Sequence, residues 1–128
     1  MDLDQMELVL DHYKNPRNSG TLKNADLSYE EGNPTCGDKI RMDLVIDDNI
    51  ITDVKFSGKG CAISQASASI LTEQIIGKNL EEVKNIDSVG FLQMLGVDIS
   101  PVRYKCALLS LKVLKTVLFG GNSFEYEH

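Results

Sequence analysis

The chain has 128 residues, 42% of them hydrophobic and 25% charged, which is one domain's worth of globular sequence and excludes a disordered chain. Thirteen Lys and Arg against nineteen Asp and Glu leave a formal charge of −6, so a general nucleic-acid binder, which needs a basic face to neutralise phosphates, is excluded. No run approaches the ~18 apolar residues of a membrane span and the acidic start Met1-Asp2-Leu3-Asp4 is unlike a secretory signal, so the expectation is a soluble cytoplasmic protein with no membrane contact.

Leu3, Met6, Leu10 and Tyr13 recur at helical spacing and predict a helix over 3–13, ended by Asn15-Pro16-Arg17-Asn18-Ser19-Gly20. Ala25, Leu27 and Tyr29 alternate with polar residues and predict a strand. Ile40, Met42, Leu44 and Ile46 predict a second, and Thr52, Val54 and Phe56 a third that runs as far as Ser57. Asp47-Asp48-Asn49 is the turn of a hairpin that sets residue 40 opposite about residue 57, and Gly58-Lys59-Gly60-Cys61 is read as breaking the strand. Ala62 to Ile76 follows as a helix rich in Ala and Ser, closed by Gly77, and short helices are predicted over 80–84 and 88–95. The last helix starts at Ser100-Pro101, with Val102, Cys106, Leu109, Val113 and Val117 as its buried stripe and Lys105, Lys112 and Lys115 on the wet side. Gly120-Gly121 stops it, and 121–128 is expected to be a loose tail. The expected fold is α+β, a three-stranded antiparallel meander packed against four to five helices in a single domain over 1–128.

Three cysteines are too few for a disulfide scaffold, so each is either a small buried hydrophobe or functional. In an antiparallel hairpin the start of one strand lies beside the end of the other. Cys36 and Asp38 precede the first hairpin strand and Cys61 follows the second, so the two thiols and a carboxylate are expected at one rim of the sheet. Cys61 is placed at a helix N-terminus, where open N–H groups favour the thiolate, the nucleophilic and metal-binding form. Gly37, Gly58 and Gly60 are read as leaving room for an ion or cluster to approach the backbone. Cys106 lies at the border of the last helix's buried and exposed faces, and a lone helix cysteine is ordinarily a core residue. Three thiolates and one carboxylate would supply the four ligands of tetrahedral zinc or of an iron–sulfur cluster. His12 is read as structural or surface, and Gly58-Lys59-Gly60 lacks the spacing of a phosphate loop.

Asp11-His12-Tyr13-Lys14-Asn15-Pro16-Arg17-Asn18, Asn33-Pro34-Thr35-Cys36-Gly37-Asp38, Gly58-Lys59-Gly60-Cys61-Ala62-Ile63-Ser64-Gln65-Ala66-Ser67-Ala68-Ser69 and Pro101-Val102-Arg103-Tyr104-Lys105-Cys106 resemble segments of the IscU/NifU-type iron–sulfur cluster assembly scaffolds, in the same order over nearly the whole chain. The resemblance implies a scaffold rather than an enzyme. On it, 2Fe–2S clusters are built from iron and from sulfur supplied by a cysteine desulfurase, then passed to apo-proteins. It implies Cys36, Asp38, Cys61 and Cys106 as ligands of the cluster, or of zinc in the cluster-free form; since persulfide transfer needs an accessible thiolate, Cys106 beside Lys105 is the first choice of sulfur acceptor and Cys36 the next. It leaves a homodimer open.

Two positions depart from the family. Lys105 stands where many members have His, and a protonated lysine has no lone pair for a metal. It is expected instead to set its ammonium charge behind the ligands, pairing with Asp38 or favouring the Cys106 thiolate. Ser100-Pro101-Val102-Arg103 stands where the family has a Pro-Pro-Val-Lys segment read by an Hsp70-type chaperone, so that partner is not carried over. Two alternatives stand beside the scaffold. One is a SufU-type zinc-dependent sulfur acceptor, whose members usually carry an insertion between the second and third cysteines. The other is a structural zinc module, which a chain able to build this core does not need.

Overall fold

The computed structural model describes residues 3–33, 37–96 and 100–120. Cys36 and the expected tail over 121–128 lie outside the described residues. The elements in chain order are α1 (Leu3–Lys14), β1 (Leu27–Asn33), β2 (Asp38–Asp47), β3 (Ile50–Lys59), α2 (Ala62–Ile75), α3 (Leu80–Lys84), α4 (Ser88–Leu95), a 3-10 turn (Pro101–Arg103) and α5 (Tyr104–Phe119). The sheet is antiparallel in the order β1-β2-β3, as the alternating pattern predicts. No helix among the described residues is long and apolar enough to cross a membrane.

Asp48 and Asn49 both take positive φ, 52° and 63°, the backbone of a tight two-residue hairpin turn whose twist matches its strands. Beyond the turn the register shifts once. Ile46 pairs with Ile51 but Val45 with Asp53, so Thr52 is an extra, bulged residue whose hydroxyl donates to the Val45 carbonyl at 3.2 Å. The bulge moves Ile40 from the expected partner to Gly58, and β3 continues to pair Lys59 with Lys39. Gly58 therefore does not break the strand. Its φ is +139°, and a Cβ there would drive into the Lys39 carbonyl, so only glycine lets β3 reach the rim.

Ile40, Met42, Leu44, Val54 and Phe56 present one buried face of the sheet to the helices. Helix α2 lies between α1 and α5 and also packs on β3. Being covered on several sides explains its small residues, since Ala66, Ser67, Ala68 and Ser69 are all buried. Helix α5 is more deeply set than its lysines suggest. Residues 106–111 and 113–115 are all buried, so the expected wet face is confined to Lys105 and half-buried Lys112. Lys115 is a correction: it is 7% exposed and its ammonium donates to the Lys84 carbonyl at 2.6 Å, at the C-terminus of α3. Burial lowers its pKa, and the nearby Asp87 carboxylate partly offsets that. Ser100 does not cap an α-helix through its hydroxyl. It opens the 3-10 turn, and α5 begins only at Tyr104.

Helix α1 also turns a different face inward. Val9 and His12 are buried, whereas Leu10 and Tyr13 of the expected stripe are exposed. The reason is polar. His12 Nδ1 lies 2.7 Å from the Ser69 hydroxyl, which itself accepts the Arg17 backbone N–H at 2.8 Å, and His12 Nε2 lies 3.3 Å from Glu73. These partners fit a neutral ring that accepts from Ser69 and donates to Glu73. His12 is thus structural.

Burial and the Arg17 charge lower the His12 pKa from the ordinary 6.5, against the opposing Glu73 and Asp11. A ring held neutral in the folded state contributes stability above the unfolded-state pKa and loses it as pH falls through the folded one. The melting temperature is expected to be level above about pH 7 and to fall toward about pH 5. In His12→Gln that decline should be smaller, as followed by circular dichroism at each pH.

Candidate metal centre

Asp38 opens β2 and points to the helix side of the sheet, two residues before Ile40 in the same buried row; it is 3% exposed. Cys61 is the N-cap of α2, with extended backbone and no side-chain cap of its own. Its open backbone N–H donates to Asp38 Oδ1 at 3.0 Å, and its thiol lies 3.7 Å from Asp38 Oδ2. The carboxylate thereby occupies the anion position that the helix N-terminus favours. Cys106 enters from the other side in the first turn of α5 and is buried. One carboxylate oxygen of Asp38 and the two sulfurs lie within 4.8 Å of one another. Tetrahedral zinc with bonds of about 2.3 Å holds its sulfurs roughly 3.8 Å apart, so small side-chain rotations would close this group on one ion.

The open N-terminus of α2 therefore meets the first turn of α5 where these groups gather. The partial positive charge at the start of α2 favours the Asp38 carboxylate held there. The expected meeting of Asp38 and Cys61 at one rim is present, and Cys106 joins them. Lys105 is exposed beside buried Cys106 in α5's first turn.

Gly58 and Gly60 serve a different purpose from the one expected. At Gly60 a Cβ would lie 2.5 Å from Asp38 Oδ1 and 2.8 Å from its Cγ. The space is needed by the protein's own carboxylate, as the space at Gly58 is needed by β2, while Gly37 has nothing within 4 Å of such an atom. Ser64, whose hydroxyl donates to the Cys61 carbonyl at 3.1 Å, also closes the α2 start around the site. Its part was hidden in the sequence, because a serine three residues into a helix carries no mark of what it caps. Burial also runs against the expected role of Cys106 as first sulfur acceptor. At 4% exposure its thiol is covered, and Cys61 is the more open of the two described thiols.

A small α+β domain with a thiol and carboxylate group at the sheet rim, fed by two helix starts, is the class that the fold and site define. The family model described as "NifU-like N terminal domain" matches residues 4–120. The zinc-dependent sulfurtransferase SufU of Bacillus subtilis is 39% identical over 132 aligned positions, covering 90% of this chain and 89% of that protein. The iron–sulfur cluster assembly scaffold protein IscU of Haemophilus influenzae is 38% identical over 116 positions, covering 88% and 90%. The crystal structure of a candidate cluster assembly scaffold for the SUF system from Fervidobacterium islandicum superposes with a TM-score of 0.76 at 35% identity, covering 88% of this chain and 94% of that one. The chain belongs to the NifU-like N-terminal domain family.

Gly60→Ala should displace the Asp38 carboxylate from the α2 N-terminus, because the added methyl takes its place. We expect zinc affinity to fall by about 10-fold or more, the scale seen when an orienting contact at a metal site is lost. Competition with a chromophoric chelator measures it, and circular dichroism should show the fold retained.

Proposed function

We propose that this chain is a scaffold on which iron–sulfur clusters, 2Fe–2S first, are assembled from iron and desulfurase-derived sulfur and then handed to apo-proteins. The observation that carries this reading is the convergence of Asp38, Cys61 and Cys106, at the N-terminus of α2 and in the first turn of α5, in a chain of this family. The cluster is cargo, so the protein performs assembly and hand-off rather than classical turnover. Cys36, two residues from Asp38 in sequence, is the fourth ligand. A 2Fe–2S unit needs four terminal ligands, and three thiolates with one carboxylate fill that number. In the cluster-free form the same residues hold zinc. Three thiolates, one carboxylate and a 2+ core leave a charge of −2, and Lys105 sets a positive charge beside them. The partners are a cysteine desulfurase and apo iron–sulfur proteins, and the setting is the cytoplasm.

Thiolates suit iron in a sulfide-rich site, whereas a carboxylate is a harder and weaker partner. Asp38 therefore keeps the cluster exchangeable rather than locked. Its contact with the Cys61 N–H also means that its release from metal does not leave it unpaired.

The second reading is a zinc-dependent sulfur acceptor, favoured by the Bacillus relative. Length argues against it. That alignment runs to 132 positions although it uses 90% of this 128-residue chain, so the sulfurtransferase carries residues that this chain lacks. The Haemophilus scaffold aligns over 116 positions on 88% of the chain, almost without gaps.

Anaerobic reconstitution with iron and sulfide, read by visible and Mössbauer spectra, tests the scaffold reading. The wild type is expected to show a 2Fe–2S spectrum, and Cys36→Ser, Cys61→Ser and Cys106→Ser each to lose most of it. Full occupancy in any one of these would remove that residue from the ligand set. Sulfur added to a cysteine after desulfurase turnover, with no cluster formed under any condition, would favour the relay instead.

Asp38→Ala is expected to hold its cluster longer and to pass it on several-fold more slowly. Transfer to an apo-ferredoxin as fast as wild type would show that the carboxylate has no part in release.

A further inference from the structure

The outward face of the sheet carries a cationic end beside the metal centre. Lys39 on β2 and Lys59 on β3 are directly opposite each other, and both are exposed. Exposed Arg41 follows on the same face of β2, its Nε 2.9 Å from buried Asp43. Like charges opposed across an antiparallel pair destabilise it. Among the described residues Glu30, the cross-strand partner of Arg41 on β1, is the counter-charge to Lys39, its carboxylate 4.0 Å from the ammonium.

Edge protection does not account for the arrangement. A lysine near the end of edge strand β3 does discourage strand addition, but Lys39 and Arg41 sit on the central strand, both of whose edges are paired. The middle of β3 is also closed, by hydrogen bonds between Phe56 and the segment at Asn18 and Gly20. Nor does overall charge account for it, since the chain carries −6. A local positive end on a negative molecule orients an acidic partner, because the rest of the surface repels it.

Position decides what that partner is for. Lys39 follows Asp38, and Lys59 lies two residues before Cys61, so a protein held by these cations has its own surface at the rim where the ligands gather. Assembly requires a complex that persists through several deliveries, whereas hand-off requires a fast, short-lived one. Electrostatic steering supplies on-rate more than lasting affinity. We propose that Lys39, Arg41 and Lys59 form the docking surface for recipients that present an acidic patch beside their empty cluster site. The inference rests on the scaffold reading. Hand-off is ligand exchange without redox change: four recipient thiols give up their protons and bind the two irons. The three displaced thiolates take up three of these protons and the buffer takes the fourth, while Asp38 leaves the iron as a carboxylate.

The test uses a small acidic apo-ferredoxin of the 2Fe–2S type as recipient and Lys59→Glu as the variant. That substitution replaces a like-charged cross-strand pair with an opposite-charged one, so the fold should be at least as stable, which thermal melting checks. For wild type, the second-order rate of cluster transfer should fall about 10-fold or more between about 10 mM and about 100 mM salt. In Lys59→Glu the low-salt rate should fall by a similar factor and its salt dependence should flatten. Cluster occupancy after reconstitution should be unchanged. Equal rates and equal salt slopes in the two proteins would overturn the proposal. Binding of the labelled apo-ferredoxin to the cluster-free chain, followed by fluorescence anisotropy, needs no cluster. It therefore reports on the docking surface separately from the scaffold reading: salt-sensitive binding weakened by Lys59→Glu supports the surface, and binding indifferent to both rejects it.

Discussion

The contact on which the site depends is the one between the Asp38 carboxylate and the backbone N–H of Cys61. It ties the first residue of the central strand to the N-cap of the helix that follows the sheet, and so fixes both side chains with one charge-assisted bond. Such a bond is stronger than a neutral one, and leaving a buried carboxylate without it would be expensive. The carboxylate is nearly fully buried, so its place is set by the fold rather than by solvent. Everything around it makes way: Gly60 lacks a side chain because Asp38 needs the volume, and Gly58 lacks one because β2 does.

The same contact explains how acidic ligands can be gathered in a protein that is already negative. The start of α2 brings the positive end of its peptide dipoles to the rim. Helix α5 is held there by burial on nearly all sides and by ties at its length: Lys112 to Glu31 on β1, and Lys115 to the end of α3. Since β1 leads toward Cys36 and α5 carries Cys106, the Lys112–Glu31 pair joins the two arms that bear these thiols. It is partly exposed, and its worth lies in geometry more than in energy.

Function follows from a balance between holding and releasing. On the proposed function, a wholly thiolate site would keep iron firmly, and one oxygen ligand, already provided with a hydrogen-bond partner in the protein, would lower the barrier to giving it up. Cys106 is buried in this arrangement, away from the solvent access that a sulfur acceptor needs. The cationic end of the outer sheet face lies next to this exchange point without taking part in it.

Much of the architecture was written in local pattern. Alternation gave the three strands, the Asp48-Asn49 turn gave the hairpin, and Asn79, Asp87 and Gly96 mark the ends of α3 and α4 where they fall. Antiparallel pairing alone brought Asp38 and Cys61 together, because strand order fixes which ends meet whatever the side chains do. Three things needed tertiary structure. The bulge at Thr52 moved the register by one, since either register satisfies the alternation until the packed sheet chooses. The inward face of α1 is set by Ser69, a hydrogen-bond partner 57 residues away, and hydrophobic periodicity cannot register a buried polar contact. The depth of α5 made Lys115 a buried tie and Cys106 a covered thiol, because burial depends on how many neighbours surround a helix, and a single helix's sequence reports only its own stripe.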